Sequence, residues 1–135
     1  GNAATTVSST FTIDTVPPTL TISSPQTGLI TNKSALTVTG KTNDATSSPI
    51  TLTMTLNGTS LGSVAVETDG SFSKAVTLAE GTNSIVVTAK DGAGQTTSIT
   101  LSVKLDTTVP VLKGITLTPN PVSTSASVAI TVEVS

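Results

Sequence analysis

The sequence predicts an all-β protein, built as an antiparallel β-sandwich of about seven short strands. Apolar residues alternate with Thr and Ser along most of the chain, which is the period of a strand with one buried face. Turn-forming pairs separate these runs, and the turns recur at spacings near ten residues. This even spacing of short strands is typical of two facing sheets.

Each predicted strand is defined by the apolar side chains on its inward face. In chain order these are Leu20 and Ile22; Leu36 and Val38; Ile50, Leu52, Met54 and Leu56; Val64 and Val66; Phe72, Val76 and Leu78; Ile85, Val87 and Ala89; and Ile99, Leu101, Val103 and Leu105. Gly40 continues the second strand, where a missing side chain indicates a bulge or a close backbone contact.

The segments between the strands favour tight turns. Asn57-Gly58 and Asp69-Gly70 supply residues that tolerate the positive φ angles of short hairpins. Glu80-Gly81-Thr82 and the Asp91–Gly94 segment indicate two further turns.

One junction occurs twice in the chain. Phe11–Pro25 reads "FTIDTVPPTLTISSP" and Val103–Pro119 reads "VKLDTTVPVLKGITLTP", so that Asp14 and Asp106 lie 92 positions apart. Pro cannot donate a ladder hydrogen bond, so the Pro residues that follow each Asp mark module boundaries. We therefore predict one complete module over residues 15–106, between the last strand of a preceding module (1–14) and the first strands of a following one (107–135).

The terminal pieces support this division. "TVSSTFTID" matches "TTSITLSVKLD" in pattern, and Val128, Ile130, Val132 and Val134 alternate as a second strand of the following module should. Their apolar faces have no partner of their own, so these pieces pack on the central module, on each other or on a neighbouring chain, or else stay mobile.

Composition excludes several classes of function. The net charge of −2 leaves no basic patch for nucleic acid, and no apolar run approaches the ~20 residues of a membrane span. Cys and His are absent, which removes thiolate chemistry and the commonest general base. No Ser-x-x-Lys or Gly-x-Ser-x-Gly motif occurs, and Glu67 and Asp69 flank a hairpin as solvated acids, so we expect no enzyme.

We expect no cofactor, and calcium is the best metal candidate, because hard oxygen ligands are all that this chain offers. The candidate ligands are Asp14 and Asp106, at the two module boundaries, and Asp91, in a loop at one end of the sandwich. The competing interpretation is that an Asp-Thr pair before Pro starts a turn, with the carboxylate accepting local backbone N–H groups.

Residues 16–110 resemble bacterial immunoglobulin-like repeats of the glucodextranase domain B type. The resemblance rests on the segments Asp69–Phe72, Glu80–Asn83, Thr88–Gln95 and Asp106–Thr108, with Gln95 standing where the family usually has Asn. It implies an immunoglobulin-like sandwich with no shared catalytic residues. Such repeats occur in surface adhesins, in secreted multidomain glycosidases and in phage tail proteins.

We therefore expect a structural spacer in a tandem repeat, located at the bacterial cell surface or secreted, or alternatively in a phage tail. Its expected partners are the neighbouring immunoglobulin-like modules. The alternative function is adhesion, with loops at one end of the sandwich recognising a carbohydrate or a host surface receptor. Sugar-stacking Trp and Tyr are absent, Phe72 is expected in the core, and Phe11 belongs to the preceding module's strand.

Overall fold

The computed structural model describes residues 4–43, 49–116 and 131–134, and side chains over 4–43 and 49–111. This part of the chain contains strands and no helix. In order, the strands are β1 (Thr19–Ser24), β2 (Leu29–Thr31), β3 (Ala35–Asn43), β4 (Thr51–Leu56), β5 (Thr59–Val64), β6 (Ser71–Thr77), β7 (Gly81–Lys90), β8 (Thr96–Leu105), β9 (Leu112–Thr116) and β10 (Thr131–Val134).

The first eight strands form the two sheets of the predicted sandwich. One sheet has the order β1-β3-β6, and the other has the order β2-β8-β7-β4-β5. The chain changes sheets between β1 and β2, through a cis peptide bond at Ser24–Pro25 and a left-handed Gly28. All seven predicted strands are present.

Strand β2 is an eighth strand that the sequence pattern did not predict. It pairs with β8 in parallel, with Leu29 opposite Val103, whereas the other strand pairs are antiparallel. It is three residues long and both Leu29 and Ile30 are exposed, so it lacks the alternation that marks a half-buried strand. Its position depends on β8 and not on its own pattern.

The core lies between the sheets, and its residues come from the predicted inward faces. The buried apolar side chains are Leu20, Val38, Leu52, Met54, Val64, Phe72, Val76, Leu78, Ile85, Val87, Ala89, Leu101, Val103 and Leu105. The core contains one of the two Phe residues, as predicted, and each strand from β3 to β8 contributes to it, together with β1.

Gly40 lies at a bulge and at a close contact, the two situations that its place in a strand indicated. It pairs with Ile22 and Phe72 on either side, and the register of β1 against β3 shifts between Ile22 and Ser24. A Cβ at Gly40 would overlap the carbonyl oxygen of Thr21 and lie 2.6 Å from Cζ of Phe72. The ring of Phe72 therefore occupies the space that the missing side chain leaves.

The predicted hairpin at Asn57-Gly58 is present. Asn57 and Gly58 connect β4 to β5 with φ angles of 52° and 80°. Asp69-Gly70 instead lies in a turn between β5 and β6, which belong to different sheets, and this turn is closed by a single bridge of Val66 with Phe72. Gly70 has a φ of 81°, and a Cβ there would overlap the carbonyl oxygen of Thr42. A side chain at position 70 is thus disfavoured by both conformation and space.

The two terminal segments differ in structure. Residues 4–14 form no strand and pair with none of the strands of the module. Strands β9 and β10 pair as an antiparallel hairpin, with Thr116 opposite Thr131 and Leu112 opposite Val134. Of the predicted second strand, Val128 and Ile130 lie outside the described residues.

Candidate functional site

The chain arrives and leaves at opposite ends of the sandwich. On arrival, the carbonyl oxygen of Pro18 accepts a hydrogen bond of 2.6 Å from the Thr97 hydroxyl, at the start of β8. The chain leaves directly after Leu105, where β8 ends. The ten residues of β8 span about 33 Å. We call the Pro18 end proximal and the Leu105 end distal.

The repeated Asp forms the same local turn at both boundaries. Asp14 Oδ1 accepts the backbone N–H of Val16 at 3.0 Å, and Asp106 Oδ1 accepts the backbone N–H of Thr108 at 3.2 Å. The interpretation of Asp-Thr as the start of a turn is therefore confirmed at both positions. These bonds give each carboxylate a structural role.

The environment of Asp106 favours its charged form. The hydroxyl of Thr108 donates to its Oδ1, and Lys104 Nζ lies 3.2 Å from its Oδ2. The Thr108 hydroxyl, followed by the Lys104 ammonium, lowers the pKa of Asp106 below its ordinary value. The distal boundary therefore has a stable negative charge paired with a cation.

Asp91 is buried in the turn between β7 and β8 at the proximal end. Its Oδ1 accepts the backbone N–H of Gln95 at 2.8 Å, and its own backbone N–H bonds to the Gln95 carbonyl oxygen at 3.0 Å. Its Oδ2 is buried and has no hydrogen-bond partner among the described residues. The carboxylate therefore closes the turn through Oδ1.

The structure does not bring the three calcium candidates together. Asp91 is at the proximal end, Asp106 is at the distal end, and Asp14 precedes Pro18. Over the described residues, no group of three or more acidic side chains could hold a metal ion. Calcium binding stays a prediction that the fold does not test.

Asn83 is a structural residue whose role the sequence pattern did not indicate. It is fully buried, and its Oδ1 accepts hydrogen bonds from the backbone N–H of Ala79 at 2.9 Å and from Asn57 Nδ2 at 3.0 Å. Its Nδ2 donates to the carbonyl oxygens of Ala79 and Gly81 at 2.7 and 3.0 Å. Asn83 thereby joins the turn before β7 to the β4–β5 hairpin. The sequence did contain a signal for this role, because Asn83 is a polar residue on the inward face of the otherwise apolar strand β7.

A groove of about 280 Å³ opens at the proximal end. Both polar and apolar residues line the groove, and none of those described is aromatic. They are Thr42, Asn43, Pro49, Ile50, Val66, Glu67, Thr68 and Gly70. It lies between residues 49–50, which precede β4, and residues 66–70, which follow β5, at one of the two ends of the sandwich where loops could bind a ligand.

The two acids beside this groove are solvated turn residues, as predicted. Glu67 and Asp69 are both exposed. The side chain and backbone of Ser71, which donate to Asp69 Oδ1, and the nearby Lys41 ammonium lower the pKa of Asp69. The hydrogen bonds to Ser71 give this carboxylate a turn-stabilising role.

None of the described residues forms a helix long and apolar enough to cross a membrane.

The fold is that of an immunoglobulin-like module, and comparison with known proteins assigns it to a family. The family of glucodextranase, domain B, matches residues 18–107, two thirds of the chain, and the chain belongs to that family.

Two relatives extend this assignment. Bacillopeptidase F of Bacillus subtilis (strain 168) is 34% identical over 106 residues, which cover 78% of this chain but 7% of that protein. The structure of the CbhA fibronectin(III)-like modules of Clostridium thermocellum superposes with a TM-score of 0.55 at 20% identity, covering 67% of this chain and 47% of that one. The second likeness shows the shared sandwich fold.

Proposed function

We propose that this protein is a non-catalytic spacer, one piece of a tandem array of immunoglobulin-like modules in a multidomain bacterial protein outside the cell. The observation that carries the proposal is the placement of Pro18 and Leu105 at opposite ends of β8. A module that receives the chain at one end and releases it at the other adds its full length to an array.

The C-terminal hairpin supports the tandem arrangement of residues 1–14, 15–106 and 107–135. In this hairpin Thr116 pairs with Thr131 and Leu112 pairs with Val134. The residues 92 positions earlier in the chain are Ser24 and Thr39 for the first pair, and Leu20 and Thr42 for the second. Both of these are pairs of β1 with β3. The third pair, Ile115–Val132, corresponds at this spacing to Ser23–Gly40, which differs by one residue from the Ile22–Gly40 pair of the first sheet. Two of the three pairs thus repeat the register of the first sheet at the spacing of the repeated Asp-Thr junction.

The pairing of β2 with β8 suits a module under tension. Force on the arriving chain pulls β1 and β2 toward the proximal end, while force on the leaving chain pulls β8 toward the distal end. Hydrogen bonds between parallel strands loaded in this way are sheared together instead of opening one at a time. The bonds from Gly28 N to Ser102 O at 2.7 Å and from Asp106 N to Thr31 O at 2.8 Å extend this ladder beyond the three paired residues of β2.

The relatives support the setting of the proposal. The matched region is 7% of Bacillopeptidase F, as expected for a small module within a long protein. Both named relatives are bacterial, which favours a bacterial surface or secreted protein over a phage tail.

Single-molecule pulling tests the spacer function. The chain contains no Cys, so Thr12→Cys and Val111→Cys give two unique attachment points on exposed residues. We expect one cooperative force peak that releases about 300 Å, the extended length of the intervening segment less its folded span. Gradual extension without a peak would contradict a load-bearing role.

A matched pair of variants locates the mechanical resistance. Thr27→Val removes the hydroxyl that accepts the backbone N–H of Ser102 at 3.1 Å, next to β2, and should lower the unfolding force. Thr53→Val is the same change at an exposed position on β4 and should leave the force unchanged. Equal forces in the two variants would show that the β2–β8 ladder does not bear the load.

The groove at the proximal end favours one alternative, an adhesion module that binds a carbohydrate or a host receptor. A glycan array and a pull-down from host cell surfaces test this function. Binding that is lost in a Glu67→Lys variant, which changes the charge of the groove, would favour adhesion over the spacer.

A further inference from the structure

The chain that leaves the module at its distal end is held by an acidic side chain from another loop. Glu80, in the turn before β7, accepts two hydrogen bonds from Thr107. Its Oε1 accepts the backbone N–H at 3.2 Å and its Oε2 accepts the hydroxyl at 2.8 Å. Both carboxylate oxygens therefore bind one residue of the departing chain, which fixes its position and its direction together.

The residues on either side of Thr107 are held as well. The backbone N–H of Asp106 donates to the Thr31 carbonyl oxygen at 2.8 Å, which ties the junction to β2. The Asp106 carboxylate accepts the backbone N–H and the hydroxyl of Thr108 and pairs with Lys104. The chain is thus attached to the module up to Thr108, three residues beyond the end of β8.

The arriving chain shows where the following module takes hold. Pro18 is buried, and its carbonyl oxygen is bonded to Thr97. The residue 92 positions later is Pro110. If the array repeats at this spacing, Val109 is the single residue between the attachment to one module at Thr108 and the attachment to the next at Pro110.

We propose that Glu80 is a junction clamp, which binds Thr107 so that consecutive modules meet through one free residue and keep a set direction. This inference rests on the proposed tandem arrangement. The simpler interpretation is that Glu80 makes exposed hydrogen bonds of little consequence, because exposed polar contacts contribute little to stability. The two interpretations differ in the motion of residues 107–111, and not in the stability of the sandwich.

The clamp is tested by removing its acceptors in the full chain. Glu80→Ala removes both acceptors, and Thr107→Val removes the hydroxyl but keeps the backbone N–H. Glu67→Ala removes an exposed acid at the proximal end and is the matched control. Backbone ¹⁵N relaxation reports the order parameters of Thr107, Thr108, Val109 and Val111. A pair of nitroxide labels at introduced Thr53→Cys and Lys113→Cys reports the distance between β4 and β9.

We expect order parameters at Thr107 and Thr108 near 0.85 in the unmodified chain and below about 0.6 in Glu80→Ala. The width of the label distance distribution should increase at least about twofold in Glu80→Ala, less in Thr107→Val and not in Glu67→Ala, with unchanged melting temperatures. Equal order parameters and widths in the unmodified chain and Glu80→Ala would overturn the clamp.

The two proposals fail separately. A force peak in the pulling experiment with no effect of Glu80→Ala on motion would leave the spacer in place and remove the clamp. Gradual extension combined with a clear effect of Glu80→Ala would contradict the spacer and support a junction held by Glu80.

Discussion

Residues 4–14 and 96–106 have closely similar patterns, but one segment is exposed and the other is a central strand. At a separation of 92 positions, Phe11 corresponds to Val103 and Ile13 to Leu105. Phe11 and Ile13 are 82% and 73% exposed, whereas Val103 and Leu105 are 0% and 3% exposed. Both segments end in an Asp that forms the same turn.

The difference shows that alternation alone does not make a buried strand, because the apolar face also needs a surface that covers it. Strand β8 pairs with β7 along ten residues and with β2 at its distal end. Residues 4–14 precede the module and pair with none of its strands, although β1, β2, β5 and β6 lie at sheet edges. Burial is therefore a property of the partner surface as much as of the apolar pattern.

The largest expected effect compares the two Phe residues of the chain. Phe72→Ala leaves a cavity between the sheets and removes the ring that packs over Gly40, so we expect a loss of about 3–5 kcal/mol in the free energy of unfolding. Phe11→Ala should change it by less than about 0.5 kcal/mol. Denaturant melts of both variants measure the difference. A loss below about 1 kcal/mol for Phe72→Ala would show that the ring is not a core residue.

The next effect compares equivalent positions of the two segments. Leu105→Ala should cost about 2–5 kcal/mol, because Leu105 is buried at the end of β8. Ile13→Ala should be close to neutral in the same melts, because its side chain is exposed. Similar losses at both positions would mean that residues 4–14 pack on a surface of this chain.

The smallest effect concerns the charge at the distal boundary. The pKa of Asp106 is lowered in the folded state, so its stabilising contribution is present above its ordinary value of 3.8 and is lost as the pH falls through the lowered native pKa. The difference in stability between the unmodified chain and Asp106→Asn should accordingly shrink as the pH is lowered from 6 toward 2.

A carboxyl NMR titration sharpens this prediction. The titration midpoint of Asp106 should lie below 3.8. It should stay below 3.8 in high salt, because salt screens the second cause of the lowered pKa, the Lys104 ammonium, but not the first, the hydrogen bond from the Thr108 hydroxyl. A midpoint at 3.8 would contradict the turn geometry at Asp106.

Much of the fold could be predicted because the same signal recurs in each strand. The alternation of Leu52 and Met54 with Thr places these side chains between the sheets, and Asn57-Gly58 sets the hairpin that follows. Strand β2 could not be predicted in this way, since Leu29 and Ile30 are exposed and its pairing is with a strand about seventy residues away.

The junction after β8 likewise has one feature that could be predicted from the sequence and one that could not. The repeated Asp-Thr pair and its turn were evident from the sequence, because the hydrogen bond from Asp106 to Thr108 joins near neighbours. The contact of Thr107 with Glu80 crosses 27 positions, and neither residue has a local pattern that indicates the other. The buried Asn83 network likewise joins two turns that only the closed sandwich brings together.

By itself, the sequence determined the strand content, the inward faces and the tight turns, because each depends on side chains within a few positions of one another. It also showed that the Asp-Thr junction occurs twice, 92 positions apart. Only the tertiary structure decided the parallel β2–β8 pair, the role of Glu80 at the junction and the opposite ends at which the chain arrives and leaves. These features depend on which edges are free once the sheets have closed, and an edge becomes free or occupied through contacts between distant parts of the chain.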